Sequence, residues 1–240
     1  MGDRTTSSVV RPHVWVNCAA SLDGRLAFAG GVRARLSGPE DLARVQRIRA
    51  MSDAILIGVG TVVKDDPSLR VHWDLLGEEP KRAPTRIVVD ASGRLPERAR
   101  VLDGSIPTII ATSERNRRPY PATVTTLVSG RETVDLEKLF RTLRDHGFER
   151  LMVEGGSRIL ASVARGSLFD RWTVYYASVV IGGTTAPPIV GGEEAMGPED
   201  LVPFHLEGLE RLGEGYVATY GPRPSGSPAG GEPSHRAPVV

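Results

Sequence analysis

Two stretches of the 240-residue chain set carboxylates and hydroxyls beside bare glycine backbone, the combination that binds and positions a phosphorylated ligand. In Ser52–His72, read as S-D-A-I-L-I-G-V-G-T-V-V-K-D-D-P-S-L-R-V-H, Thr61, Asp65 and Asp66 follow Gly58 and Gly60. In Leu151–Leu160, L-M-V-E-G-G-S-R-I-L, Glu154 precedes Gly155-Gly156, and Ser157 opens a helical pattern. A glycine turn at a helix amino terminus accepts a phosphate, because unpaired N–H groups point outward and the helix dipole favours negative charge. Two such turns side by side suit one dinucleotide. Neither is a G-x-G-x-x-G fingerprint, so a standard Rossmann domain is not indicated. For an adjacent Asp65-Asp66 pair the ordinary role is a turn or cap, and for Asp23 in S-L-D-G-R a turn. Glu154 is different, since a carboxylate closing an apolar strand has no evident structural partner.

The elements that must carry these groups follow from periodicity. Ala54–Val59 is a short apolar run that suits a strand buried on both faces, and residues at its carboxyl end lie where open α/β sheets bind ligands. His13–Ala20 reads as another buried strand, interrupted by Asn17. Residues 85–90 form a third, ending in Asp90; residues 107–112 and 123–128 add two more. Ser37, Pro39 and Glu40 predict a capping box for a helix to about Met51. On it Leu42, Val45 and Arg49 share the face turned to the sheet, while Arg44 and Arg47 point elsewhere. Arg49 then has two readings: a helix-end cation bending out to water, or an inward anion site. Thr133–His146 is amphipathic and closed by Gly147; a second helix runs from Ser157 to Gly166. Asp170–Ile181 is the longest strand pattern, and strands near residues 205–212 and 216–220 join through G-E-G as an antiparallel hairpin. The sum is an α/β fold: a mostly parallel sheet, helices on both faces and an antiparallel C-terminal hairpin.

Thirty basic and twenty-nine acidic residues give a net charge of +1 without a basic stripe, which argues against a nucleic-acid partner. One cysteine, Cys18, excludes an internal disulfide and any multi-cysteine metal site, so no metal is expected. No apolar run approaches the roughly 18 residues of a membrane span, and the start lacks a signal peptide's apolar core. A cytoplasmic protein with no membrane partner is the expectation. The chain reads as one domain over residues 11–221 between disordered tails, 1–10 and the Pro/Gly/Ser-rich 222–240.

Taken in order, N-x-A-x-S-L-D-G-R, S-G-P-E-D-L-x-R-V-x-x-I-R-A, D-A-I-L-I-G-V-G-T-V-x-x-D-D-P-S-L, R-I-V-V-D and L-x-V-E-G-G-S closely resemble the reductases of riboflavin biosynthesis. That family comprises the carboxyl-terminal half of the bacterial deaminase–reductase and stand-alone archaeal and fungal enzymes. The resemblance implies a dihydrofolate-reductase-like fold, NADPH rather than NADH as donor, a nucleotide-like small-molecule substrate, and a homodimer. By matching position it implies that Ala19, Thr61, Asp65 and the turn Gly155, Gly156, Ser157, Arg158 and Ile159 contact NADPH. It places Arg49 on the substrate's 5′-phosphate, with Asn17, Leu69, His72 and Glu154 beside the substrate. Arg33 and Arg35 stand where the fused enzymes carry Ser and Trp, and His72 where they carry Arg. Ala91 stands where many members carry Ser, leaving Ser92 or Arg94 near the cofactor's 2′-phosphate. A cis peptide between Gly155 and Gly156 is common in such folds. The implied reaction opens a ribosylamine to an imine and reduces it to a ribityl chain, with Asp65 and Glu154 as candidate proton donors. The deaminase half's zinc signature needs a P-C-x-x-C that one cysteine cannot supply. A same-fold reductase acting on dihydrofolate or another nucleotide, and a non-catalytic NADPH-binding protein, are the competing readings.

Overall fold

Burial on both faces selects the central strands. In a computed structural model, which describes residues 10–79, 81–192 and 195–223, β2 (Ala54–Gly58) and β3 (Thr85–Val89) are buried at every position. Around them β1 (His13–Ser21), β4 (Thr108–Thr112), β5 (Thr125–Val128), β6 (Arg150–Gly155), β7 (Arg171–Ala177), β8 (Phe204–Leu212) and β9 (Gly215–Pro222) complete a nine-stranded sheet. Its order is β5-β4-β3-β2-β6-β1-β7-β9-β8. Pairing is parallel from β5 to β7 and antiparallel at β7–β9 and β8–β9. This is the α/β, mostly parallel architecture with a C-terminal hairpin that the pattern of elements implies.

Four helices cover the two faces. Leu139, Phe140 and Leu143 of α3 (Leu136–Asp145) and Leu160 and Val163 of α4 (Ser157–Arg165) pack in one core with Val14, Val16, Leu56 and Val153. Ile48 of α1 (Pro39–Met51) and Val59 and Val62 of α2 (Val59–Asp65) pack in the other with Ile55, Ile57 and Met152. Alternation along each strand therefore sends neighbouring side chains to different helices.

Several local expectations change. Ser37 does not cap α1: Gly38 occupies the cap position without a side-chain bond, and the Ser37 hydroxyl donates to Asp41 Oδ2 instead. Leu42 is exposed, and the inward stripe of α1 holds Asp41, Arg44 and Ile48, so Arg44 faces the sheet. Val45 and Arg49 do face inward, but apolar periodicity misplaced Leu42 and Arg44 because two inward positions are a neutralising pair, Arg44 Nη2 lying 2.7 Å from Asp41 Oδ1. The glycine turn after β2 is the first turn of α2, which starts directly at Val59. α3 begins at Leu136, three residues late, because the Asp135 carboxylate accepts from Lys138 N and caps it there. β7 ends at Ala177, where the chain turns away toward its contacts with the loop after β1. β9 extends to Pro222, one residue beyond the expected boundary; the expected loose tails otherwise fall on residues 1–9 and 224–240, outside the described residues.

One buried cation holds several loops to the sheet. Arg86, with no solvent exposure, donates to Thr108 Oγ1, to the carbonyls of Ser68, Arg100 and Ile106, and to Asp103 Oδ1 at 2.9 Å. Hydrogen bonds from Ser105 and then Arg86 hold the Asp103 carboxyl well below the usual carboxylate range, against the opposing effect of burial. A depressed folded-state pKa stabilises above the unfolded value and is lost as pH falls, so this contribution disappears only in acid. Arg86→Met strands three carbonyls and is expected to lower the unfolding free energy by about 3 kcal/mol in equilibrium urea titration. A loss under about 0.5 kcal/mol would mean that the loops are held by other contacts.

Candidate active site

At the carboxyl edge of the sheet, neighbours β2 and β6 both end in glycine and both turn straight into a helix. Gly155 has φ +108° and is joined to Gly156 by a cis peptide, after which α4 begins. The space there is filled: a Cβ on Gly156 would lie 3.1 Å from Thr61 Oγ1, and one on Gly58 2.9 Å from Ile159 Cγ1. Glycine lets the two turns touch. The N–H groups of Ser157 and Arg158 have no hydrogen-bond partner among the described residues, since the first intrahelical donors are Ile159 and Leu160, both bonding Gly156 O. Bare backbone, two free donors and the Thr61 hydroxyl form a cradle that fits a cofactor pyrophosphate.

Glu154, the residue before Gly155 on β6, carries the charged half of the site. Arg49, from the last turn of α1, donates from Nε to Glu154 Oε1 at 2.6 Å and from Nη2 to Oε2 at 2.7 Å, a two-point fork. Its Nη1 donates to the carbonyl of Arg70 at 2.9 Å, pinning the segment that follows Leu69. Both side chains are largely buried, at 15% and 14% exposure. Burial alone would lower the Arg49 pKa, but the charge of Glu154 and its hydrogen bonds outweigh it and raise it. Arg49 therefore faces inward, and the partner missing from the sequence reading of Glu154 is Arg49 itself. Among the described residues three of its five N–H groups are committed, leaving two.

The remaining expected residues divide by distance from this centre. Asn17 is nearly buried, and its carbonyl accepts from Arg44 Nη2 at 2.8 Å and Thr173 Oγ1 at 2.9 Å, so only its amide nitrogen is uncommitted. Its break in an apolar strand was the one signal for an inward Arg44. Ala19 lies two positions on, on the same face of β1. Leu69 is buried in the core at φ +52°, directly before the Arg70 whose carbonyl accepts from Arg49. His72 is exposed, tied to α1 through its N–H to Gln46 Oε1 at 2.9 Å. Asp65 closes α2; burial raises its pKa while Arg33 and Lys64 pull the other way. Asp66 is structural, left-handed at φ 39° and accepting from Arg100 N. Ser92 and Arg94 are exposed after β3, in a turn fixed by the Asp90 carboxylate, which accepts from Arg94 N at 2.9 Å and Leu95 N at 2.8 Å. Burial pushes the Cys18 thiol up to about 12, so it sits as an inert core group.

Comparison with known proteins identifies the family to which a chain with this edge belongs. The RibD C-terminal domain family matches residues 12–218. The chain belongs to that family. It is 39% identical over 221 residues to the 2,5-diamino-6-ribosylamino-4(3H)-pyrimidinone 5′-phosphate reductase of Archaeoglobus fulgidus, covering 88% of this chain and 98% of the relative. The enzyme of the same name from Methanothermobacter thermautotrophicus is 38% identical, with the same coverage of both chains. Among solved structures, Acinetobacter baumannii RibD superposes with a TM-score of 0.75 at 26% identity over 89% of this chain and 59% of that longer one. Saccharomyces cerevisiae Rib7, at 20% identity, shares the fold with a TM-score of 0.69 over 90% of this chain and 92% of its own. This member of the RibD C-terminal domain family is thus an oxidoreductase acting on a small molecule, of the kind that uses a nicotinamide cofactor. No helix among its described residues is long and apolar enough to cross a membrane.

The Arg49–Glu154 fork also stabilises the fold. In urea unfolding of Arg49→Met, Glu154→Gln and the double variant, the two changes should couple by on the order of 2 kcal/mol, the double costing less than the sum. Additive losses would show that the pair contributes nothing as a pair.

Proposed function

We propose that the chain reduces the ribosylamino side chain of 2,5-diamino-6-ribosylamino-4(3H)-pyrimidinone 5′-phosphate, or of its deaminated form, to the ribitylamino product, with NADPH as donor. The observation that supports this most directly is the placement of the Gly155-Gly156 cradle and the Arg49–Glu154 pair at successive residues at the end of one strand, β6. Substrate and cofactor can then meet over adjacent residues. Close kinship with two reductases named for this substrate carries the choice of substrate.

When bound, the nicotinamide supplies the hydride that reduces the imine carbon of the opened sugar. What the chain does is position and exclude water. Gly155, Gly156, Ser157, Arg158 and Ile159, with Thr61, hold the pyrophosphate; Ala19 borders the reacting end. Arg49 offers its two remaining N–H groups to the substrate's 5′-phosphate, Glu154 keeps its guanidinium aimed, and Leu69, His72 and the Asn17 amide line the same side. Since both Glu154 oxygens accept from Arg49, Asp65, whose pKa is raised, is the freer of the two candidates to hold a proton. Ser92 and Arg94 meet the adenosine ribose. The same reading makes the enzyme a cytoplasmic homodimer. Exposed Leu206 and Leu209 on β8 and Tyr216 on β9 provide an apolar face for self-association.

The deciding assay is NADPH oxidation with the aminopyrimidine ribotide, with dihydrofolate as control; turnover of dihydrofolate alone would overturn the substrate assignment. Arg49→Ala should cost on the order of 2 to 4 kcal/mol in kcat/KM for the ribotide, with NADPH affinity nearly unchanged. Arg49→Lys should recover little, because a point charge cannot reproduce the planar fork. An equal defect on the ribotide and on its dephosphorylated nucleoside would rule out phosphate recognition.

For the cofactor, NADPH should bind more tightly than NADH, and Arg94→Ala should narrow the gap by about tenfold through loss of one charge-assisted contact to the 2′-phosphate. Equal dissociation constants in the unsubstituted enzyme would sink the assignment.

A further inference from the structure

Asp23 stands in the turn after β1, where its sequence suggests only a turn-former, yet its carboxylate gathers groups from a loop about 158 residues away. Oδ1 accepts from the N–H of Ile181 at 3.0 Å and from the Ser21 hydroxyl at 2.7 Å; Oδ2 accepts from the N–H of Gly182 at 2.8 Å. Backbone bonds continue the seam on either side: Leu22 N to Val179 O, Leu26 N to Pro187 O and Ile189 N to Gly24 O. Arg25 adds Nη1 to Ala186 O at 3.0 Å. The strap that follows β1 and the loop that follows β7 are thus zipped together beyond the carboxyl edge of the sheet.

Both partners of this seam reach the site from its two sides. The loop after β7 returns onto the cradle, where Gly191 N donates to Ser157 O and a Cβ on Gly191 would lie 2.9 Å from Ser157 Oγ. The strap runs the other way, with Gly31 packed against the Lys64 side chain near the end of α2 and Arg33 close enough to Asp65 for its charge to oppose the rise that burial gives the Asp65 pKa. Strap and loop together span the opening between α2 and α4. At the carboxylate end the contacts are few and specific: two backbone N–H groups converge on one side chain that is itself open to water.

We infer that Asp23 is a positioning residue, latching the strap after β1 to the loop after β7 so that the two form one roof over the reduction site. The inference rests on the reductase reading above for what lies under the roof; the latch itself rests on the hydrogen bonds. The Asp23 carboxylate is engaged by Ser21, Ile181 and Gly182, so Asp23 acts through these segments. It acts by fixing the Ile181–Gly182 end of a seam whose remaining bonds lie on either side of it, and a shift of roof groups of about 1 Å is enough to cost turnover.

Asp23→Asn and Asp23→Ala test this, both at an exposed loop position where folding should survive; urea unfolding checks that it does. Three readouts follow: amide hydrogen exchange of residues 178–192, dissociation of NADPH alone by fluorescence, and steady-state kinetics with the ribotide. In both variants the amides of Ile181 and Gly182 should exchange about 10- to 100-fold faster. The strap amides of Leu22 and Leu26 should lose protection with them. kcat should fall by about 10- to 100-fold, while the dissociation constant for NADPH changes little, since the cradle is intact. Asp23→Glu should restore the exchange protection in part and kcat with it. Faster exchange with unchanged kcat would overturn the positioning role, and unchanged exchange would overturn the latch itself. If the unsubstituted enzyme does not reduce the ribotide, the reductase reading fails, and exchange still decides the latch.

Discussion

Arg49 and Glu154 form the contact on which the rest of this site depends. The fork joins the last turn of α1 to the end of β6, and through the Arg70 carbonyl it also holds the segment after Leu69. Three elements from widely separated parts of the chain are fixed by one guanidinium. Taking both charges out of water is costly, and the mutual attraction repays that only when geometry is good and the other donors are used. Here two bonds of 2.6 and 2.7 Å supply the geometry, and a third to a carbonyl uses another donor. A cation kept in a largely buried place with spare donors is ready to receive an anion without rearrangement.

Glycine does the corresponding work at the cradle. Each close approach there leaves little room for a Cβ, which would press on a neighbouring side chain: Gly156 on Thr61, Gly58 on Ile159, Gly191 on Ser157. These contacts draw the ends of β2, β6 and the loop after β7 together until backbone, and not side chain, lines the opening. Backbone N–H groups cannot ionise or change rotamer, so a phosphate cradle made from them keeps its charge and shape across pH.

The architecture was legible from the sequence wherever one force ruled. Runs buried on both faces, as at Ala54–Gly58, read as strands because burial alone explains them, and the hairpin read from G-E-G between alternating strands. Misreadings came where polar groups are buried in pairs. Leu42 took the place of Asp41 and Arg44 in the inward stripe because periodicity counts apolar side chains and cannot see that two charges cancel. The capping box at Ser37 failed for the same reason, its hydroxyl being drawn to Asp41. In the site, the candidate residues were legible one by one, but not which would bond to which. Arg49 and Glu154, 105 positions apart, were both expected beside the substrate and neither as the other's partner. Asn17 was placed near the substrate, and its carbonyl is spent on Arg44 and Thr173. Contact between distant residues is set by the crossing of strands, which spacing along the chain does not encode.

Two buried arginines show how structure and site can be told apart by counting donors. Arg86 directs its five N–H groups to five acceptors, one hydroxyl, three carbonyls and one carboxylate, and is fully enclosed. Every donor is satisfied within the chain, so a ligand anion would have to displace an existing bond to gain one. Arg49 has the same charge and a comparable carboxylate partner, but among the described residues only three of its donors are used and a margin of its surface meets solvent. A new bond there displaces only water. Both cations lie beside the sheet, and burial alone would rank Arg86 as the more notable. The unspent donors are what mark Arg49 as the one that can recognise a phosphate, while Arg86 keeps the Ser68 carbonyl, one residue before Leu69, where that recognition needs it.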